Sequence, residues 1–222
     1  MDSSDKEIIT QFQREFLETF FEQTQAFFLT GGTALSGFYL HHRYSQDLDL
    51  FTVQPEPFAR IYAFVLQTAQ RIDAELTAIQ TEPMFRRYLL SRGEESIIVD
   101  GVKDIAIQVV QEKPKFGNVV VDSLEDICCN KICAIVGRGE IKDYIDLYFL
   151  HQYGYSIKKY LSFAQKKDSG VSKATIAYVL SEVKFLEIPD YMVKPLSIEE
   201  LQAFFQALSD ELALDCFADT IR

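Results

Sequence analysis

The stretch Phe27–Phe51, FFLTGGTALSGFYLHHRYSQDLDLF, decides how this chain reads. An apolar run ends in Gly31-Gly32, a helix-like segment follows, and after a polar turn two aspartates stand at i and i+2 in an apolar strand. Side chains alternate faces along a strand, so Asp47 and Asp49 point one way while Leu48 and Leu50 point the other. Two carboxylates on one face repel each other unless a cation sits between them. Carboxylate oxygens are the hard ligands that Mg2+ prefers, usually one or two together with substrate phosphates. A glycine pair lets backbone approach a ligand closely, and the free N–H groups of a helix N-terminus favour an anion. Phosphates at the glycines and metal at the aspartates make a nucleotide site.

These residues resemble the signature of the DNA polymerase β-like nucleotidyltransferases: a glycine pair, a helix, then Asp-x-Asp on the next strand. Within that superfamily they are most similar to the AbiEii/AbiGii toxin family, whose members carry GGTAL followed by an Arg-x-Ser-x-Asp-Leu-Asp block. Here the block is Arg43-Tyr44-Ser45-Gln46-Asp47-Leu48-Asp49. The combined pattern is more specific than either half. Arg43 and Ser45 read as phosphate contacts or as a surface arginine and a turn serine; Thr33 reads as a helix N-cap or a further phosphate contact.

The resemblance implies a third carboxylate on a neighbouring strand, completing a two-metal cage with Asp47 and Asp49. Asp100 and Asp104, in SIIVDGVKDIAIQ, are the candidates. Asp100 is expected, because it ends an apolar run where family members tend to carry an Asp; Asp104 fits a turn. Gly101, directly after Asp100, predicts a bulge.

A second block, NKICAIVGRGEIKDYIDLYFL, covers residues 130–150. Lys131 and Arg138 are two helical turns apart, and Lys142 and Asp146 stand at i,i+4. Spacing alone gives two capped helices with a salt-bridged surface. The order Lys131, Arg138, Lys142-Asp143, Asp146-Leu147 also resembles the toxin family, so the resemblance spans residues 27–150. It implies that Lys131 reaches the triphosphate and stabilises leaving-group charge, with Arg138, Lys142, Asp143 and Asp146 orienting it or binding the acceptor. It further implies a Mg2+-dependent nucleotidyltransferase toxin with a cognate antitoxin, using a nucleoside triphosphate and RNA, often a tRNA 3′ end, as acceptor. A protein or small-molecule acceptor, or a module that only binds nucleotide or a partner, is the alternative; paired carboxylates count against the last.

Composition agrees with an ordinary soluble globular chain of 222 residues, 48% apolar and 25% charged. No apolar run approaches the length of a membrane helix and MDSSDKE is not a signal peptide, so a cytoplasmic protein is expected. The net charge of −11 argues against a surface that coats nucleic acid. The one basic stretch is residues 130–180, eight basic against four acidic, where Lys158, Lys159, Lys166 and Lys167 would meet RNA phosphates. Cys128, Cys129 and Cys133 crowd one helix and read as small buried hydrophobes, since His41, His42 and His151 are not spaced to complete a zinc site.

Periodicity predicts helices over 5–26, 33–42 and 57–78, with strands over 27–30 and 48–53. Shorter strands are expected over 87–91, 97–102, 105–110 and 119–121. From Ser123 the pattern is helical: 123–135, 141–152, 156–167, 172–186 and 197–212, with capping boxes at Ser123/Asp126 and Ser197/Glu200. The expected fold class is α+β, a polymerase β-like nucleotidyltransferase domain over residues 1–122 and a helical domain over 123–222.

Overall fold

Thr10 caps the first helix by accepting from the Gln13 backbone, while the Gln13 side chain accepts from the Thr10 backbone. A capping box of this kind satisfies two orphan N–H groups reciprocally. Helix α1 (Gln11–Gln23) then buries Phe12, Phe16 and Phe20 at four-residue spacing. Phe20 packs edge-on against Phe27 and Phe64, with ring centroids 5.5 and 6.3 Å away. This computed structural model describes residues 8–185 and 187–220; the predicted start of α1 at residue 5 and the predicted helix end at residue 186 lie outside the described residues.

The chain divides into two units, the first running to Ala106 and resuming over Gln111–Ser123, the second comprising Ile107–Val110 and the chain from Leu124. Strands β1 (Phe28–Thr30), β2 (Leu48–Thr52), β3 (Glu75–Thr81), β4 (Phe85–Arg92) and β5 (Glu95–Lys103) form the first unit's sheet in the order β1-β2-β5-β4-β3. Only β2 and β5 are parallel; the other neighbours are antiparallel. Helix α2 (Gly31–Ala34) continues as a π-helical stretch, Leu35–Leu40, and stops where His41 turns left-handed. Helices α3 (Pro55–Ala59) and α4 (Ile61–Arg71) follow β2, and a two-stranded ribbon, β6 (Lys115–Phe116) and β7 (Val119–Val120), completes the unit. The expected α+β fold class, with a mixed sheet and C-terminal helices, is what the chain adopts.

Three expectations fail here. The predicted helix 57–78 breaks at Arg60 and ends by Ile72. Asp73 is left-handed (φ 52°), and Glu75–Thr81 pairs along β4 instead of continuing the helix. Backbone partners on β4 outweigh the helix propensity of Ala, Glu and Leu. The predicted strand 105–110 is absent, because its backbone donors are taken by side chains: Ala106 donates to Asp104, and Val109 and Val110 donate to Asp126. The predicted bulge at Gly101 is absent too, since its pairing with Leu50 and Arg86 is continuous, and the irregularity lies at Ala78/Gln80. Gly101 is small for another reason: a Cβ there would lie 2.0 Å from Ile61 Cδ1.

The second unit contains α5 (Leu124–Gly137), α6 (Ile141–Gln152), α7 (Ile157–Lys167), α8 (Lys173–Ser181) with a 3-10 turn (Glu182–Phe185), and α9 (Ile198–Thr220). Cys128, Cys129 and Cys133 turn toward the carbonyls of Tyr155, Tyr160 and Ala164, and burial pushes the Cys133 thiol up to about 11. The Ser123 backbone donates to Asp122 Oδ1, and the Asp126 carboxylate holds Val109, Val110 and Lys167. Ser197 does cap α9, accepting from the Glu200 backbone, whereas the Glu200 carboxylate accepts from the Tyr148 hydroxyl.

Gly101→Ala should destabilise the first unit by about 1 kcal/mol through overpacking. Urea unfolding should show part of that loss recovered by Ile61→Val in the same chain; equal midpoints for Gly101→Ala and wild type would refute the packing role.

Candidate active site

Asp49 lies on β2 directly beside Asp100 on β5, and Asp100 in turn faces Arg87 on β4. Paired positions share a sheet face, so Asp49, Asp100 and Arg87 form a row across three strands, with Asp47 two residues before Asp49 on the same side. Leu48, Leu50 and Val99 alternate into the core, where all three are fully buried. Asp104 stands apart in a turn, its backbone donating to the Thr52 carbonyl and its carboxylate accepting from Ala106.

Arg87 grips Asp100 with both arms: Nε to Oδ1 at 2.8 Å and Nη2 to Oδ2 at 2.6 Å. Planar bidentate pairs of this kind are among the stronger charge-assisted contacts. These bonds raise the Arg87 pKa above its ordinary value; partial burial opposes the shift, and the charges of Asp100, Asp47 and Asp49 add to it. Arg87 was not read from the sequence, although a signal exists. The β4–β5 hairpin turns at Gly93-Glu94, so residues equidistant from that turn pair, Arg92 with Glu95 and Arg87 with Asp100.

The glycine pair sits under this row. Gly31 has φ +70°, and a Cβ on it would lie 2.1 Å from Asp49 Oδ2. A Cβ on Gly32 would lie 2.5 Å from Arg43 Nη2 and 2.8 Å from Ser45 Oγ. Asp49, Arg43 and Ser45 thus converge on the two glycines. Thr33 is inside α2 and does not cap it; its hydroxyl donates to the Asp47 carbonyl at 2.5 Å. Arg43 is buried and donates Nη1 to the Tyr44 carbonyl. Gln13, also missed in the sequence, donates Nε2 to the carbonyls of Ser45 and Gln46 at 3.1 and 2.9 Å and so fixes the turn.

Among the described residues, no three His, Cys, Asp or Glu side chains come together as a metal cluster. Asp47 and Asp49 supply the pair of hard oxygen donors that suits Mg2+, which takes the rest of its ligands from water and phosphate. Asp100 offers both its oxygens to Arg87 instead. Asp47 and Asp49 could hold a divalent cation, with Asp100 aligned beside Asp49.

In the second unit, Lys131 is 5% exposed, and its Nζ lies 2.8 Å from Asp143 Oδ1 and 2.6 Å from Asp146 Oδ2. Arg138 closes on Asp143 from the other side, Nε to Oδ2 at 2.7 Å and Nη2 to Oδ1 at 2.9 Å. Burial alone would raise the Asp143 pKa, but Arg138 and Lys131 together hold it below its ordinary value of 3.8. Lys142 pairs with Glu140 at 2.7 Å, so Asp146 turns inward to Lys131 and not to its i,i+4 neighbour.

The expected four-lysine patch is smaller than its sequence suggests. Lys167 is buried against Asp126 at 2.8 Å, and Lys158 is paired with Glu211 and Asp215 at 2.6 and 3.1 Å. Lys159 lies over the Tyr155 and Tyr160 rings and Lys166 over Phe163. Tyr153, Tyr155 and Tyr160 form a near-parallel ladder with centroids 6.3 and 5.7 Å apart, and Tyr153 is 59% exposed at its end.

A helix–sheet unit with Asp49 over a glycine pair is the frame of a nucleotidyltransferase, and comparison with known proteins agrees. The family model described as nucleotidyl transferase AbiEii toxin, Type IV TA system, matches residues 15–219. The chain belongs to this AbiEii nucleotidyltransferase toxin family. An uncharacterized protein of Aquifex aeolicus, aq_aa25, is 29% identical over 191 residues, 81% of this chain and 84% of that protein. A Helicobacter pylori protein described as a candidate nucleotidyltransferase shares the fold at a TM-score of 0.64 and 16% identity, over 95% of this chain and 98% of its own. MenT4, a nucleotidyltransferase toxin of Mycobacterium tuberculosis H37Rv, does so at 0.51 and 13%, over 90% and 81%. Among the described residues no helix is long and apolar enough to cross a membrane.

Lys131→Met should cost about 3 kcal/mol, because Asp146 is left buried without its ammonium partner; chemical denaturation measures it, and a loss of a few tenths would mean a solvated lysine. The Asp143 shift predicts a pH trend. Its lowered folded pKa stabilises the fold above the ordinary value of 3.8, and that stability is lost as pH falls from there through the folded pKa. Asp143→Asn should flatten this acid limb in melting temperature against pH.

Proposed function

We propose that the protein is a Mg2+-dependent nucleotidyltransferase toxin that acts in the cytoplasm, moves a nucleotide from a nucleoside triphosphate to an RNA hydroxyl, often at a tRNA 3′ end, and is held by a cognate antitoxin. The observation that carries the reading is Asp49 seated over Gly31 and aligned with Asp100. In this reading residues 1–122 form the transferase domain and residues 123–222 the helical domain. The triphosphate lies on the Gly31-Gly32 backbone, with Thr33, Arg43 and Ser45 around its phosphates, and Asp47 and Asp49 hold the metal. Mg2+ bound there supplies charge neutralisation for the phosphates.

The acceptor oxygen forms a bond to the α-phosphorus, the α–β phosphoanhydride bond breaks, and pyrophosphate leaves with the electron pair. The acceptor proton passes to water, while Asp100, aligned with Asp49 and held by Arg87, keeps a fixed carboxylate beside the site. We also assign a role in transfer to the second unit's charged group, Lys131 with Asp143, Asp146, Arg138 and Lys142. The tyrosine ladder with Lys159 and Lys166 supports an RNA acceptor, because bases stack on aromatic faces and lysines meet phosphates.

The test is incubation with each triphosphate labelled at the α-phosphorus, Mg2+ and total cellular RNA. Label should enter RNA with one nucleotide preferred, and Asp49→Asn should remove it while leaving the melting curve unchanged; full activity in that variant would end the reading. Lys159→Glu with Lys166→Glu, or Tyr153→Ala, should weaken RNA labelling, and the double charge reversal should flatten its salt dependence. An acceptor that is a protein or small molecule, which the net charge of −11 suits, predicts labelling indifferent to these changes.

A further inference from the structure

Asp100 stands in register with Asp49, where a two-cation site would call on it as a shared ligand, yet both of its oxygens are already bonded to Arg87. Its carboxylate is 7% exposed, so little of it remains for a second partner, whereas the Arg87 side chain is 40% exposed. Breaking this bond to free Asp100 for a cation would replace two short charge-assisted contacts, at 2.6 and 2.8 Å, by one new ligand. Arg87 also feels the charges of Asp47 and Asp49. A guanidinium cannot lose its proton in this setting, so its positive charge is permanent.

We propose that Arg87 takes the place of a second cation: the site binds one divalent metal on Asp47 and Asp49, while Arg87 holds Asp100 as an oriented carboxylate outside the metal's ligand set. This rests on the metal-site reading given under Proposed function and refines it. Arg87 is then a positioning residue. It fixes Asp100 and supplies, as part of the protein, positive charge that a second metal would otherwise bring. A lysine could keep the charge but not the two-armed grip, since an ammonium is a point donor.

The number of metals bound separates this from a two-cation site without any assay of transfer. Mn2+ is titrated into the full chain, and the free ion is followed by electron paramagnetic resonance. The wild type should bind one Mn2+ per chain, and Asp49→Asn should remove it. Asp100→Asn should still bind one Mn2+ per chain at saturation, with affinity lowered by about 10-fold as for a residue beside a ligand, because Asp100 is not itself a ligand. Arg87→Gln should gain a second Mn2+, and Arg87→Gln with Asp100→Asn should return to one; Arg87→Lys should stay at one.

Two Mn2+ in the wild type, or loss of Mn2+ in Asp100→Asn, would overturn the inference while leaving the metal site standing. A folded Arg87→Gln, checked by circular dichroism, that still binds only one would overturn it as well. If that variant does not fold, the Asp100→Asn and wild-type stoichiometries decide alone. No Mn2+ bound by the wild type would remove the metal-site reading and this inference with it.

Discussion

The parallel pairing of β2 with β5 is the constraint on which the first unit's chemistry depends. It is the one parallel strand pair within the five-stranded sheet, and its register sets Asp49 beside Asp100. A slip of one residue would turn Asp49 toward the core and Leu48 and Leu50 toward the ligand side. The burial of those leucines therefore guards the position of the carboxylates. The helix–strand–helix start serves the same register, because β1 pairs Thr30 with Asp49 and so delivers Gly31 directly beneath that carboxylate.

Like charges gathered on one face must be compensated, and each unit does this within itself. In the first, Arg87 neutralises Asp100 and attracts Asp47 and Asp49 at longer range. In the second, Lys131 and Arg138 surround Asp143, and Lys131 also serves Asp146. Ionised groups withdrawn from water need such partners, since desolvation is costly and an unpaired buried charge would be neutral instead. Burial makes the second cluster a structural commitment as well as a functional candidate. That is why Lys131 cannot be treated as a surface lysine whose loss would be silent.

Local signals in the sequence were legible where one element supplies all the atoms. The glycine pair, the Asp47/Asp49 alternation, β1, β2 and helices α6 and α7 follow from periodicity and turn residues over short spans. The failures occurred where a remote partner decides. Glu75–Thr81 has the composition of a helix but is drawn into the sheet by β4, and residues 105–110 look like a strand but spend their N–H groups on Asp104 and Asp126. Gly101 resembles a bulge in sequence and proves to be a space for Ile61.

The site divides in the same way. By itself the sequence determined which residue types were present and at what spacing: glycines for a close approach, two aspartates on one face, a hydroxyl and a guanidinium in the preceding turn. These follow from the two-residue repeat of a strand and the steric freedom of glycine, which act within a few residues. Only the tertiary structure decided that Arg87 occupies Asp100, that Gln13 fixes the Ser45-Gln46 turn, and that the Lys131 and Lys167 side chains are buried. Each of those outcomes depends on which strand or helix lies alongside. That is set by the burial of apolar faces across long separations in sequence, which the spacing of charged residues does not encode.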